Sequence, residues 1–217
     1  MALRYLDDDI VNLRRDDGSE AQFYWGDKVE VLSERNGVRR VASHGARGVV
    51  AEGLINAEAR LRDSGLVRLS MVDVQQGDGL ILETPEGKVI FIDGGDNQLF
   101  ARHANARFPN TSDADPIVVD LILITHGDAD HFEGLSELRA SERDIRPEKR
   151  IFVAPRRVYH NGLVKRPGKT AANRKRAEKD MFGATVESDG EIFVTELVDD
   201  PAEVAAGERN SKFETWI

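Results

Sequence analysis

A chain of 217 residues with 40% hydrophobic content is long enough to bury a core, either as one large domain or as two small ones. Its formal charge of -9 argues against general coating of nucleic acid, and the absence of cysteine excludes both a disulfide framework and a thiolate metal site. No apolar run approaches the roughly 18 residues of a membrane span, and the start MALRYLDDDI lacks the basic residues and apolar stretch of a secretory signal, so a cytoplasmic protein with no membrane partner is expected.

Residues 1–20 carry Asp7, Asp8, Asp9, Asp16 and Asp17 and read as an acidic lead-in, either a short strand and turn or a mobile segment. From residue 21 the chain alternates apolar and polar positions in short runs separated by Gly26-Asp27, Asn36-Gly37 and Gly45-Ala46-Arg47-Gly48, which predicts small antiparallel strands joined by hairpins. Trp25-Gly26-Asp27, Val29, Val31, Asn36-Gly37 and Gly48-Val49-Val50 resemble a bacterial SH3-like β-barrel over residues 21–63. Such a barrel implies a peptide, protein or glycan partner, or simply packing on the neighbouring domain. His44, between Ser43 and Gly45, is expected to be a loop histidine and not a ligand. GLINAEARLRDS, residues 53–64, reads as a short helix or a linker and places the domain boundary there.

A second domain is expected over 64–217. LVRLSMVDV, LILET and KVIFID read as strands, with a loop at Gln75-Gln76-Gly77-Asp78-Gly79 and a hairpin turn at Pro85-Glu86-Gly87. The stretch 97–116 predicts a helix and then an exposed loop, with His103 facing solvent. Leu121-Ile122-Leu123-Ile124 is a buried strand that ends in His126-Gly127-Asp128-Ala129-Asp130-His131. Two imidazoles and two carboxylates within six positions at a strand end repel one another unless a cation or several donors hold them. The bland alternative is a surface acidic loop with two incidental histidines. FEGLSELRASERDI then predicts an amphipathic helix, with Leu135 and Leu138 on one face, and RIFVAP the next strand.

MVDVQQGDGLILETPEGKVIFIDGG, followed about 30 residues later by the His-Gly-Asp-Ala-Asp-His loop, resembles the metallo-β-lactamase fold, and within it the hydrolase domain of bacterial DNA-uptake (competence) channel proteins. The resemblance implies an α/β fold of the αββα sandwich type. It implies two divalent ions, zinc or manganese, with His126 and Asp128 on the first and Asp130 and His131 on the second. Asp93 would brace or bridge them, and Asp130 is the candidate acid or base. The Asp at position 128, where the family often has a second His, favours a harder ion such as manganese or magnesium without excluding zinc.

The second half of that fold normally supplies further ligands, yet no histidine follows His160, which itself is expected to face solvent more readily than to bind metal. The sandwich is therefore expected to be incomplete, mainly its first half: a fragment, a reduced member, or one half that pairs with a complementing half or with a second copy. From Arg156 to Lys179 nine basic residues stand against Glu178, a face for a phosphate-bearing substrate such as DNA. The expected activity is metal-dependent hydrolysis of a phosphodiester, with a thioester or lactam hydrolase of the same fold, or a non-catalytic binding module using the barrel, as alternatives.

Overall fold

A computed structural model describes residues 3–45, 48–161, 184–198, 200–205 and 209. The chain divides into two compact units, residues 1–68 with 83–88, and residues 69–82 with 89–217.

The first unit is one curled sheet of seven strands. In chain order these are β1 (Leu3–Leu6), β2 (Ile10–Arg14), β3 (Glu20–Tyr24), β4 (Lys28–Arg35), β5 (Val38–Gly45), β6 (Gly48–Asn56) and β7 (Leu61–Arg62). They lie side by side as β3-β2-β6-β5-β4-β1-β7, with antiparallel pairing throughout. Alternation explains which residues go inside: Val11 and Leu13 of β2 are buried between exposed neighbours, and Leu6, Phe23, Val29, Val41 and Ile55 complete the core. Asn36 and Gly37 turn the β4–β5 hairpin with φ of 51° and 77°, as a two-residue loop requires. Register shifts at Val31/Ser33 and Ser43/His44 bend the ladder.

Two sequence expectations change here, on residues 53–64 and on His44. The stretch 1–20, expected as a short strand and turn or a mobile segment, supplies two strands, β1 and β2, and its carboxylates find arginines far along the chain. Asp8 accepts the Arg60 backbone N–H at 2.8 Å and its Nε at 2.7 Å, and Asp16 accepts Arg40 Nη1 at 3.0 Å. Residues 53–64 form no helix: β6 runs through Asn56, and after a turn β7 returns to pair with β1. His44 lies in β5 and not in a loop, with Nε2 3.5 Å from Glu30 Oε2.

The second unit contains β8 (Arg68–Met71), β9 (Gly79–Glu83), β10 (Val89–Asp93), α1 (Leu99–Arg107), β11 (Ile117–Val119), β12 (Leu121–Leu123), α2 (Ala129–Ser141), β13 (Val153–Pro155), β14 (Val158–Tyr159), β15 (Ala184–Ser188) and β16 (Glu191–Glu196). Its five-stranded sheet has the order β14-β12-β10-β9-β8, with β10, β12 and β14 parallel. Alternate residues of β9 and β10, Ile81, Val89 and Phe91, are buried with Phe100, Ala101 and Ala104 of α1 and Phe132, Leu135 and Leu138 of α2. Phe91 meets Phe100 edge-on, with ring centroids 5.2 Å apart. β15 and β16 form a separate antiparallel hairpin.

RIFVAP supplies the next strand, β13, as expected, but β13 pairs with β11 outside the sheet and the strand beside β12 is β14. Asp120 causes the offset by interrupting the run from β11 to β12. Its carboxylate accepts the Val89 backbone N–H at 3.1 Å and Arg156 Nη1 at 2.7 Å. His103, expected to face solvent, is half-buried on α1, with Nε2 enclosed and unbonded. The described residues thus supply a mixed sheet with two helices and a hairpin.

Candidate metal centre

Parallel pairing of β10 with β12 puts the end of β10, at Asp93, beside the segment that leaves β12 through Thr125 and His126. Asp93 is only 1% exposed and adopts φ of 54°, a left-handed conformation that Asp tolerates better than most residues and that turns its carboxylate inward. A carboxylate so enclosed needs donors, and it has three. The Thr125 backbone N–H donates to Oδ1 at 2.8 Å, the Thr125 hydroxyl to Oδ2 at 2.6 Å, and His131 Nδ1 to Oδ2 at 2.9 Å.

The loop expected over 126–131 is shorter than its motif. Helix α2 begins at Ala129, so Asp130 and His131 stand on its first turn and Asp128 occupies the capping position. Asp128 makes no capping bond through its side chain; Oδ2 lies instead 3.6 Å from His126 Nε2. Asp130 Oδ1 lies 4.0 Å from His131 Nε2. The two imidazoles face one another with centroids 3.8 Å apart and planes tilted by 49°. Both acids also gain from the helix N-terminus, whose partial positive charge favours them.

Close backbone approaches hold these pieces together. Gly94 N donates to His131 O at 2.7 Å, and Gly134 N donates to Gly95 O at 2.8 Å. A Cβ at Gly134 would run into the Gly94 carbonyl, and one at Gly77 would run into the Asp130 carbonyl, while Gly77 itself has φ of 82°. The loop 75–79 therefore sits directly on the first turn of α2. It delivers Asp78, a residue the sequence reading treated only as part of a turn. Asp78 Oδ2 lies 3.8 Å from His131 Nδ1, and Asp78, Asp93 and His131 each present a ligand-capable atom within 4.8 Å of the others. The available signal was the Gly77-Asp78-Gly79 triplet, which permits a backbone to approach another backbone closely.

The donor chemistry fits a divalent cation. In neutral His131 the Nδ1–H donates to Asp93, which leaves the lone pair on Nε2 facing the Asp130 carboxylate, acceptor against acceptor. A cation between them satisfies both, with Asp93 as the outer carboxylate that orients the imidazole. With three hydrogen bonds on its two oxygens, Asp93 is placed to brace; Asp78, whose side chain is 69% exposed, is open to a ligand.

Of the residues expected from sequence, Asp93, His126, Asp128, Asp130 and His131 come together here. His160 directly follows β14, whose pairing with β12 brings the Tyr159 carbonyl to Ile124 N at 2.8 Å, at the end of the sheet from which the metal loop leaves. Arg156 is at the other end of that strand pair, bound to Asp120. Arg157 is exposed beside it, its carbonyl accepting from Ile122 N at 2.9 Å, and the remaining basic positions of the segment, Lys165, Arg166, Lys169, Arg174, Lys175, Arg176 and Lys179, lie outside the described residues.

Residues 88–179 match the family model of the beta-lactamase superfamily domain. No curated protein and no solved structure matches the chain. The matched span takes in Asp93, Thr125 and the whole His126–His131 loop, so the beta-lactamase-like domain is present around the cluster. Asp78 and the seven-stranded sheet precede the matched residues, and the substrate is not specified by the match. No described helix is long and apolar enough to cross a membrane.

Proposed function

We propose that the chain is a metal-dependent hydrolase of a phosphodiester, in DNA or a nucleotide, of the kind found in the competence-channel branch of the metallo-β-lactamase fold. The observation that carries the reading is the pairing of each imidazole Nε2 with a carboxylate, His126 with Asp128 and His131 with Asp130, side by side at one strand end. Those pairs would hold two divalent ions, with Asp93 fixing His131 from behind and Asp78, its Oδ2 3.8 Å from His131 Nδ1, as a further carboxylate beside the cluster. Oxygen-rich donors of this kind suit manganese, and the imidazoles admit zinc. Bound divalent ions supply an activated water at neutral pH and polarise phosphoryl oxygens.

The chain's own groups do the rest. Asp130 has its carboxylate 4.0 Å from His131 Nε2 and a partly exposed side chain, so it can take a proton from the attacking water and return one to the leaving oxygen. His131, 8% exposed and anchored to Asp93, keeps that geometry fixed. The test is turnover of single-stranded DNA, double-stranded DNA and bis-p-nitrophenyl phosphate with manganese or zinc. Asp130→Asn should lower the rate by about 100-fold or more at metal concentrations that saturate the variant. Absence of turnover on all three substrates, with metal bound to the wild-type protein, rejects the proposal.

The position of Arg156 favours a second reading. It is paired with Asp120 at the strand end away from the metal loop, so phosphate recognition gains nothing from it. A thioester or lactam hydrolase needs no such cation, and ester turnover without phosphodiester turnover would select it. For the first unit the proposal is an SH3-like role in recruiting a peptide or protein through the half-exposed Trp25, whose Nε1 donates to Asp7 at 3.1 Å beneath the Arg62 guanidinium. Loss of partner capture on Trp25→Ala, with hydrolysis unchanged, is the result expected.

A further inference from the structure

Thr125 has one hydroxyl proton and three neighbours that could use it. The hydroxyl lies 2.6 Å from Asp93 Oδ2, 3.1 Å from His126 Nδ1 and 3.5 Å from His131 Nδ1. Asp93 is a buried carboxylate and can only accept, and its contact is the shortest of the three, so the proton belongs there. The Thr125 oxygen then has only lone pairs to offer His126. A 3.1 Å approach of Nδ1 to that oxygen requires the imidazole to be the donor, which places the proton of neutral His126 on Nδ1 and leaves Nε2 bare. Nε2 is the nitrogen that stands 3.6 Å from Asp128 Oδ2.

We infer that Thr125 is a positioning residue that sets the tautomer of His126, so that one buried carboxylate controls both imidazoles of the cluster. Asp93 acts on His131 directly and on His126 through the Thr125 hydroxyl. Free imidazole in water has no such constraint. Left alone, His126 would be free to carry its proton on Nε2, where it would donate to Asp128 and leave no lone pair for a cation. The hydroxyl removes that competing pairing before any ion arrives, and its value to metal binding rests on the reading of the cluster as a metal site.

The experiment uses the full chain, metal-free, above the pH range in which imidazole titrates. Long-range 1H–15N correlation spectra report which ring nitrogen of His126 carries the proton in the wild type, in Thr125→Val, which keeps the shape and removes the hydroxyl, and in Thr125→Ser, which restores it. Manganese and zinc affinities are measured on the same three proteins by calorimetry. The wild type and Thr125→Ser should show the Nδ1–H form and similar affinity. Thr125→Val should shift His126 toward the Nε2–H form and bind metal about 10-fold more weakly, the scale expected for losing an outer partner of a ligand histidine.

An Nε2–H form at His126 in the wild-type protein overturns the inference without recourse to any variant, which covers the case of a Thr125→Val that fails to fold. Retention of the Nδ1–H form and wild-type affinity in folded Thr125→Val also overturns it, as does a Thr125→Ser as impaired as the Val variant. A wild type that shows the Nδ1–H form but binds neither metal supports the tautomer assignment and rejects the metal-site reading instead.

Discussion

Two sets of carboxylates, one in each unit, are treated in opposite ways. In the seven-stranded sheet Asp8 is matched with Arg60, Asp16 with Arg40, and Glu34 with Arg39 at 2.6 Å. In the cluster at the end of β12, Asp128 and Asp130 face imidazole nitrogens instead. An arginine brings a permanent positive charge, whereas a neutral histidine brings a lone pair and can serve an ion from outside. The first arrangement is complete within the chain; the second has room for a further charge. The cluster is held by backbone passing against backbone at Gly77 and Gly134, and the seven-stranded sheet by alternating side chains around Leu13 and Val41 together with the approach of Gly53 to the Arg14 carbonyl.

Five substitutions sharpen this contrast. The largest effect is expected from Leu13→Ala, which empties a fully buried position of the sheet and should cost about 3 kcal/mol in urea unfolding, with metal affinity unchanged. A loss of metal affinity in that variant would break the distinction. Asp93→Ala removes the acceptor of three hydrogen bonds and should destabilise the beta-lactamase-like unit by roughly 2–3 kcal/mol while abolishing metal binding in calorimetry. Gly134→Ala pushes a methyl group toward the Gly94 carbonyl, and a cost of about 1–3 kcal/mol is expected along with weaker metal binding.

The smallest effect concerns pH. The Arg60 backbone N–H first, and then its guanidinium, hold Asp8 below its ordinary value of 3.8, and the Arg40 guanidinium does the same for Asp16. A carboxyl depressed in the folded state contributes stability above the unfolded value and loses it as pH falls through the folded one. Asp8→Asn and Asp16→Asn should therefore be slightly less stable than wild type near neutrality and equal to it in strong acid. A difference that does not diminish as pH falls below the ordinary carboxyl range would contradict the ion-pair account.

The cluster was legible in sequence where local spacing carries the information. Asp93-Gly94-Gly95 and the six residues from His126 are short motifs at strand ends, and the residues they name come together. Asp78 and Thr125 were not legible in the same way. Their relevance lies in where loop 75–79 crosses the first turn of α2, and in a hydroxyl's distances to three partners, which no spacing rule reports. The first unit shows the same limit. Val11 and Leu13 alternate as a strand should, but five aspartates around them masked the pattern, because the arginines that pair with Asp8 and Asp16 lie far along the chain. In residues 53–64 the good helix formers Ala57, Glu58, Ala59 and Arg60 outweighed Ile55, whose burial in β6 decides the outcome.

The hydrogen bonds on Asp93 also bear on how the protein reaches its native state. Its donors, Thr125 and His131, are 32 and 38 positions away along the chain, and β10 pairs with β12 in parallel across an intervening helix. Contacts of such sequence separation must wait for loop closure, so the two imidazoles acquire their orientation late, after the β4–β5 hairpin with its two-residue turn. In a refolding experiment the exchange protection of the Thr125 amide, bonded to Asp93 Oδ1, should rise after that of the hairpin and together with the recovery of metal affinity.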